Sequence, residues 1–196
     1  MSLQLNPASA ASPDLPFIRS ALVRRSLAIV LGSLFVAVCA HVSVPLWFTP
    51  VPLTLQTFAV LLLGLLLSPS ASAAALVLYL VEGAAGLPVF SPAGPAGFLH
   101  IFGPTGGYLL SYPFAAALTG LLRRHVAGGG FASSVLAAAT ASVLILLCGA
   151  AWFAVIAHQS AAAVLTLTVL PFLPGDTLKV IAAAAAASGL RRFHRA

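Results

Sequence analysis

The sequence predicts an all-α membrane protein, a compact bundle of six transmembrane helices with both termini in the cytoplasm. Of its residues, 61% are hydrophobic and 6% are charged, whereas about a quarter of the residues of a soluble domain are charged. The apolar residues form long unbroken runs without the period-two alternation of membrane β-strands. A membrane-spanning helix needs about 20 such residues. These observations exclude a soluble domain and favour helices over a barrel.

Each predicted span follows one apolar run. The runs cover residues 24–44, 53–68, 71–87, 105–122, 132–157 and 174–190. The second and third runs are short, and residues 160–173 are interpreted as a re-entrant or surface segment. Residues 21–196 are therefore expected to form one transmembrane domain.

Residues 1–20 are rich in Pro, Ser and Ala and are predicted to be a disordered cytoplasmic tail. A signal peptide is the alternative, because Arg24 and Arg25 precede an apolar run that ends in small residues. Removing that run would leave five spans and disturb the distribution of arginine, so the tail is the preferred interpretation.

The arginines predict the orientation of the chain. They lie before the first run, after the fourth and after the sixth: Arg19, Arg24, Arg25, Arg123, Arg124, Arg191, Arg192 and Arg195. With six spans, all three clusters fall on one side, which the positive-inside rule assigns to the cytoplasm. The sequence thus predicts a multi-pass protein of the cell (inner) membrane. Its net charge of +6 reflects topology, so nucleic acid is not expected as a partner.

Asp176 and Lys179 are two opposite charges at the start of the last apolar run. An ionisable group near the bilayer centre costs roughly 2.5–3.5 kcal/mol and usually marks a binding or conduction site. At a spacing of three residues on a helix, both side chains share one face. The pair therefore predicts a ligand site, with a purely structural ion pair as the alternative.

Other candidate site residues surround the outward ends of the predicted spans. Loops rich in Pro and Gly are expected to form an ordered cap there. Aromatic side chains would supply apolar walls, Gly107 opens the fourth span with free N–H groups, and Glu82 either lines the site or is solvated at the interface. Gln56 could donate and accept within the second span. The predicted substrate-binding set is Asp176, Lys179, Tyr79, Glu82, Gln56, Phe90, Gly107, Tyr108 and Trp152.

Small residues recur along the first span as Ala28, Gly32, Ser33 and Ala37. Such a face allows another helix to approach closely, because van der Waals contact drives helix association in lipid. It predicts either packing within this chain or a docking surface for a partner subunit.

The residues give little support to an enzyme. An intramembrane aspartyl protease needs a second membrane aspartate, and the other aspartate of this chain is Asp14 in the tail. No His-Glu-x-x-His or Gly-x-x-x-x-Gly-Lys-Ser/Thr element occurs. Cys39 and Cys148 are interpreted as apolar fillers, so no metal or cofactor is expected. A channel is disfavoured because polar residues do not line successive helices.

Four segments carry a family resemblance. Residues 50–57 (PVPLTLQT), 83–90 (GAAGLPVF), 103–108 (GPTGGY) and 171–179 (PFLPGDTLK) resemble, in order, the signatures of the BioY family. That family comprises the biotin-specific substrate-capture proteins, or S components, of energy-coupling-factor (ECF) vitamin transporters. The resemblance extends from about residue 24 to residue 190.

The resemblance implies a six-helix S component that holds biotin on its outward side. It implies a transmembrane coupling subunit and two cytoplasmic ATPases as partners in the lipid membrane, with biotin as transported substrate rather than cofactor. The family's docking face on helix one matches Ser33 and Ala37 most closely. A shared energising module, a dedicated one, solitary transport and a homo-oligomer all stay open.

Biotin also suits the chemistry of the charged pair. Asp176 would accept from the ureido N–H groups, and Lys179 would donate to a carbonyl or carboxylate oxygen. An S component for a different vitamin is the alternative function.

Overall fold

The computed structural model describes residues 15–125 and 130–193 and is almost entirely helical. Seven α-helices, a two-stranded sheet and one 3₁₀ helix follow in this order: α1 (Leu15–His41), β1 (Ser43–Val44), β2 (Leu53–Thr54), α2 (Gln56–Leu66), α3 (Pro69–Ala84), the 3₁₀ helix (Gly97–Phe102), α4 (Gly106–His125), α5 (Phe131–Ala157), α6 (Ala161–Thr168) and α7 (Leu173–Phe193). Helices therefore occupy all six predicted runs, and the predicted re-entrant or surface segment contains α6.

The first helix begins earlier than the sequence predicted. Residues 15–20 belong to α1 rather than to a disordered tail, and residues 1–14 of that predicted tail lie outside the described residues. Pro16 lies in the first turn of α1. Backbone N–H groups in a first turn have no acceptor within the helix, so proline, which lacks an N–H, is tolerated there. The apolar residues around it therefore extend the helix without a break.

Two of the described helices are long and apolar enough to cross a membrane alone, namely α1 from Ser20 onwards and α5. Helices α6 and α7 are long and apolar enough only when taken together, as one broken span or a re-entrant segment with a bend of 48° between them. By the same measure α2 and α3 are shorter apolar helices. The chain is thus a multi-pass membrane protein with helices of unequal length.

Helix α2 lies at the centre of the bundle and packs against α1, α4 and α7. Nine of its eleven residues are buried. Gly64 permits the close approach of α4, since a Cβ atom there would lie 2.6 Å from the carbonyl oxygen of Ala116. The connection to α3 is short, and the Ser68 side chain caps α3 by accepting from the amide of Ala71 at 3.3 Å.

The arginine clusters meet at one end of the bundle. Arg123 and Arg191 both donate to the carbonyl of Leu65 in the last turn of α2. Arg25 donates to Ser70 Oγ in the first turn of α3 at 3.1 Å. One arginine of each cluster thus lies at the α2–α3 connection, and Arg123 and Arg191 meet the negative end of the α2 dipole there. The start of α7 lies at the opposite end.

The opposite end carries an ordered cap, as the Pro- and Gly-rich loops predicted. Strands β1 and β2 pair in antiparallel register, with Ser43 opposite Thr54. Gly86, Gly94 and Gly97 adopt φ values of 96°, 135° and 71°, which favour glycine. These turns fold the α3–α4 connection back over the helix ends.

The small-residue face of α1 packs within the chain. Ser33 is fully buried and Ala37 is 8% exposed, and a Cβ atom on Gly32 would lie 3.1 Å from the Cβ of Ala75 in α3. Ala28 is half-buried at the edge. Small side chains thus let α3 cover most of this face, which favours packing within the chain, and a docking surface on these residues stays a prediction. The face that α1 exposes instead is aliphatic and includes Leu27, Leu31, Leu34 and Val38.

Candidate functional site

A cleft opens beneath the cap, between the first turns of α2, α4 and α7 and the middle of α5. Its cavity volume is about 40 Å³, well below the roughly 300–1,000 Å³ of small-molecule sites, so a ligand of that size requires the cleft to widen. Its apolar wall includes Val51, Leu109, Ile145, Leu146 and Phe172. Its polar wall consists of Thr54, Gln56, Thr57, Ser91, His100, Thr105, Tyr108, Tyr112, Asp176 and Lys179.

The charged pair lies in this cleft, with Asp176 in the first turn of α7 and Lys179 in the second. Lys179 Nζ is 3.1 Å from Asp176 Oδ1, and Thr57 Oγ1 donates to the same oxygen at 3.4 Å. Asp176 is 6% exposed, and the positive end of the helix dipole favours its charge. Among the described residues none donates to Oδ2. One carboxylate oxygen therefore keeps its capacity to accept from a ligand.

Gln56 is held in place by its neighbours. Thr54 Oγ1 donates to Gln56 Oε1 at 2.9 Å, and Gln56 Nε2 donates to the hydroxyl of Tyr79 at 2.6 Å. Tyr79 is fully buried behind Gln56 and does not line the cleft. Gln56 is thus a wall residue, and Tyr79 fixes its orientation.

Two tyrosines stand one turn apart on α4. Tyr108 donates to the carbonyl of Thr168 at 2.7 Å, and its ring packs flat over Gly149 of α5. Tyr112 is 3% exposed, lines the cleft, and its hydroxyl has no hydrogen-bond partner within 15–125 and 130–193. A hydroxyl that lines a cleft and has no protein partner is free to form a hydrogen bond with a ligand. Tyr112 therefore offers a donor to the cleft.

The cap contributes an aromatic wall. The rings of Phe90 and His100 lie 4.9 Å apart at 32°, and Phe90 meets Tyr79 edge to face at 5.4 Å. His100 Nδ1 lies 2.9 Å from the carbonyl of Pro95. Since a carbonyl only accepts, Nδ1 carries a proton and Nε2 of the neutral ring is an acceptor. Phe90 supports His100 and does not itself line the cleft.

Three predicted site residues are placed elsewhere. Glu82 accepts from Ser33 at the interface of α3 with α1. Gly107 lies against α5, where a Cβ atom would be 2.3 Å from the Cβ of Trp152. Trp152 Nε1 donates to the carbonyl of Gly103 at 3.0 Å and ties α5 to the cap. The structure brings none of the three to the cleft.

Sequence reasoning did not select several wall residues, notably Thr57, His100 and Tyr112. Tyr112 carried a usable signal, because it follows Tyr108 by four residues and so shares its helix face. Thr57 likewise follows the selected Gln56. Within the described ranges no three His, Cys, Asp or Glu side chains converge as metal ligands would.

Known proteins resemble this chain over most of its length. The model of the BioY family matches residues 9–196. The probable biotin transporter BioY of Pyrococcus horikoshii is 37% identical over 164 residues, which cover 82% of this chain and 94% of that protein. The biotin transporter BioY of Lactococcus lactis subsp. cremoris is 28% identical over 144 residues, covering 70% and 74% of the two chains.

A solved structure shares the fold. The crystal structure of the S-component for biotin from an ECF-type ABC transporter superimposes with a TM-score of 0.81 at 22% identity, covering 88% of this chain and 93% of that one. The relatives are transporters by name and not enzymes. The family match and the Pyrococcus relative together show that the chain belongs to the BioY family.

Proposed function

We propose that this chain is the biotin-capturing S component of an ECF-type transporter in the cell membrane. It spans the membrane six times, binds biotin at its outward side, and hands it to the cytoplasm through a coupling subunit and separate ATPase subunits. The relatives named biotin transporters support this function.

Chemical complementarity between the cleft and the ureido ring of biotin carries the proposal. The ring has two N–H donors and one carbonyl acceptor. Asp176 Oδ2 is an acceptor that no described residue occupies, and the Tyr112 hydroxyl is a donor lining the same cleft. Hydrogen bonds to charged groups contribute about 1.5–3 kcal/mol, and a low local dielectric strengthens them. The aliphatic wall suits the thiophane ring.

The arrangement of charge supports the orientation. The arginines gather at the α2–α3 connection, which the positive-inside rule assigns to the cytoplasm. The cleft lies at the other end of α7, beneath the cap, and so faces outward. Both termini then lie in the cytoplasm with the arginines.

Equilibrium binding of labelled biotin to the purified protein in detergent tests the proposal. A single change at Asp176 or Lys179 would leave a buried charge without its partner, at a cost of about 3–5 kcal/mol. The informative variant is therefore the double change Asp176→Asn with Lys179→Met, which removes both charges together.

We expect the double variant to fold with a melting temperature near that of the wild type and to bind biotin roughly 100-fold more weakly, since it loses at least one charge-assisted bond. Wild-type affinity in the double variant would make the pair structural. If the wild type did not bind biotin but bound another vitamin from a panel, the proposed substrate would be wrong and the assigned fold would stand.

A further inference from the structure

A second cleft, the outer cleft, lies in the cap next to the cleft described above, which is the inner cleft. This outer cleft has a cavity volume of about 280 Å³ and is lined by Pro50, Ala93, Gly94, Pro95, His100, Gly103, Pro104 and Thr105. It shares His100 and Thr105 with the inner cleft. Most of its other wall residues are exposed or half-buried. The two clefts therefore adjoin at His100 and Thr105, and the outer one is open to the outside.

The outer cleft carries no fixed charge. None of its wall residues is Lys, Arg, Asp or Glu, and its titratable side chain is His100. Residues 45–52 and 88–104, which form most of the cap, contain no lysine or arginine. A carboxylate in the outer cleft thus meets no permanent counter-ion from its walls.

The inner cleft disfavours a ligand carboxylate for a different reason. The cation that lines it is Lys179, 3.1 Å from Asp176 Oδ1. A ligand carboxylate on Lys179 would place two negative charges side by side in a low-dielectric site, which is costly. A neutral ureido group meets no such repulsion. Its N–H groups can donate to Asp176 Oδ2, and its carbonyl can accept from the Tyr112 hydroxyl. The valerate chain must then run toward the outer cleft.

From this arrangement we propose that the protein accepts biotin amides, including biotin joined through its carboxyl group to the side-chain amine of lysine. This inference rests on the proposed function, because it assumes that the ureido ring occupies the inner cleft. Converting the carboxylate to an amide removes a charge for which the outer cleft has no fixed partner. The conjugated group lies in the outer cleft and in the solvent beyond it.

Competition against labelled biotin tests this inference. The competitors are biotin, biotin primary amide, Nε-biotinyl-lysine and diaminobiotin, which lacks the ureido carbonyl. We expect both amides to compete within roughly ten-fold of biotin, a difference of about 1.4 kcal/mol, and diaminobiotin to compete far more weakly. Strong competition by biotin with none by either amide would overturn the inference and leave the proposed function standing. If labelled biotin itself did not bind, the proposed function and the inference would both fall.

A matched pair of cap variants locates the conjugate. Ala93 lines the outer cleft, whereas Ala96 is an exposed alanine of the cap that lines neither cleft. Ala93→Phe should weaken Nε-biotinyl-lysine several-fold more than it weakens biotin amide, and Ala96→Phe should leave both unchanged. Equal affinities for the two amides in both variants would place the conjugate outside the outer cleft and overturn this part of the inference.

Discussion

Replacement of Gly149 by alanine would disrupt the packing of the Tyr108 ring against α5. A Cβ atom on Gly149 would lie 2.2 Å from Tyr108 Cζ and 2.3 Å from both Cε atoms. These distances are far inside van der Waals contact, and Tyr108 is 7% exposed, so its ring cannot swing away freely. The ring must shift, and its hydroxyl would then leave the carbonyl of Thr168, now 2.7 Å away.

The magnitude follows from three contributions. Overpacking a well-packed core costs about 1–3 kcal/mol, and the lost hydrogen bond adds about 0.5–1.5 kcal/mol. Alanine in place of glycine inside a helix returns about 0.8–1.0 kcal/mol. The net destabilisation of Gly149→Ala is therefore about 0.5–4 kcal/mol. Because Tyr108 lines the cleft, biotin affinity should fall as well.

Gly189→Ala is the matched control. Gly189 lies in α7, and a Cβ atom there would have no neighbour within 4 Å. The same change should therefore be neutral or stabilising by up to about 1 kcal/mol. Thermal unfolding in detergent and equilibrium biotin binding measure both variants. If Gly149→Ala had the same melting temperature as Gly189→Ala and bound biotin with wild-type affinity, the packing of Tyr108 described above would be wrong.

Three further predictions separate wall residues from supporting ones. Tyr112→Phe should weaken biotin binding roughly ten-fold through loss of one hydrogen bond while the melting temperature stays constant, and an unchanged dissociation constant would remove Tyr112 from the site. Ser33→Ala takes away the donor to Glu82 and should destabilise the protein by about 1–3 kcal/mol without changing biotin affinity; a weaker affinity would return Glu82 to the site. Trp152→Phe removes the donor to Gly103 and should speed biotin dissociation in a stopped-flow chase, because the cap loosens. A dissociation rate equal to that of the wild type would show that this bond does not hold the cap.

The sequence predicted the site where local spacing determines geometry. Asp176 and Lys179 are three residues apart on a helix, so their contact follows from helical geometry once the helix is recognised. The aromatic candidates were only partly placed. Tyr79 and Phe90 form a second layer behind Gln56 and His100, because sequence indicates that an aromatic residue is buried but not which buried layer it joins.

Helix rotation accounts for the misplaced acid. Tyr79 and Glu82 are three residues apart on α3, yet Tyr79 points to the core of the bundle and Glu82 meets Ser33 of α1. The donor and the acceptor are 49 residues apart in the chain. A local sequence pattern cannot predict such a pair, because the pair depends on which helices pack together. The same long-range packing covers the small-residue face of α1, which sequence alone left open to a partner.

The unequal helix lengths have a consequence for the surrounding lipid. At 1.5 Å per residue, the 27 residues of α1 and of α5 reach about 40 Å, whereas the eleven of α2 reach about 16 Å, roughly half of the 30 Å hydrocarbon layer. Because nine of the eleven residues of α2 are buried, most of this mismatch faces neighbouring helices rather than lipid. The half-span that α2 leaves empty is the space in which the cleft forms. A shortened inner helix thus lets a protein of this size hold a polar cavity within the membrane without thinning the lipid around it.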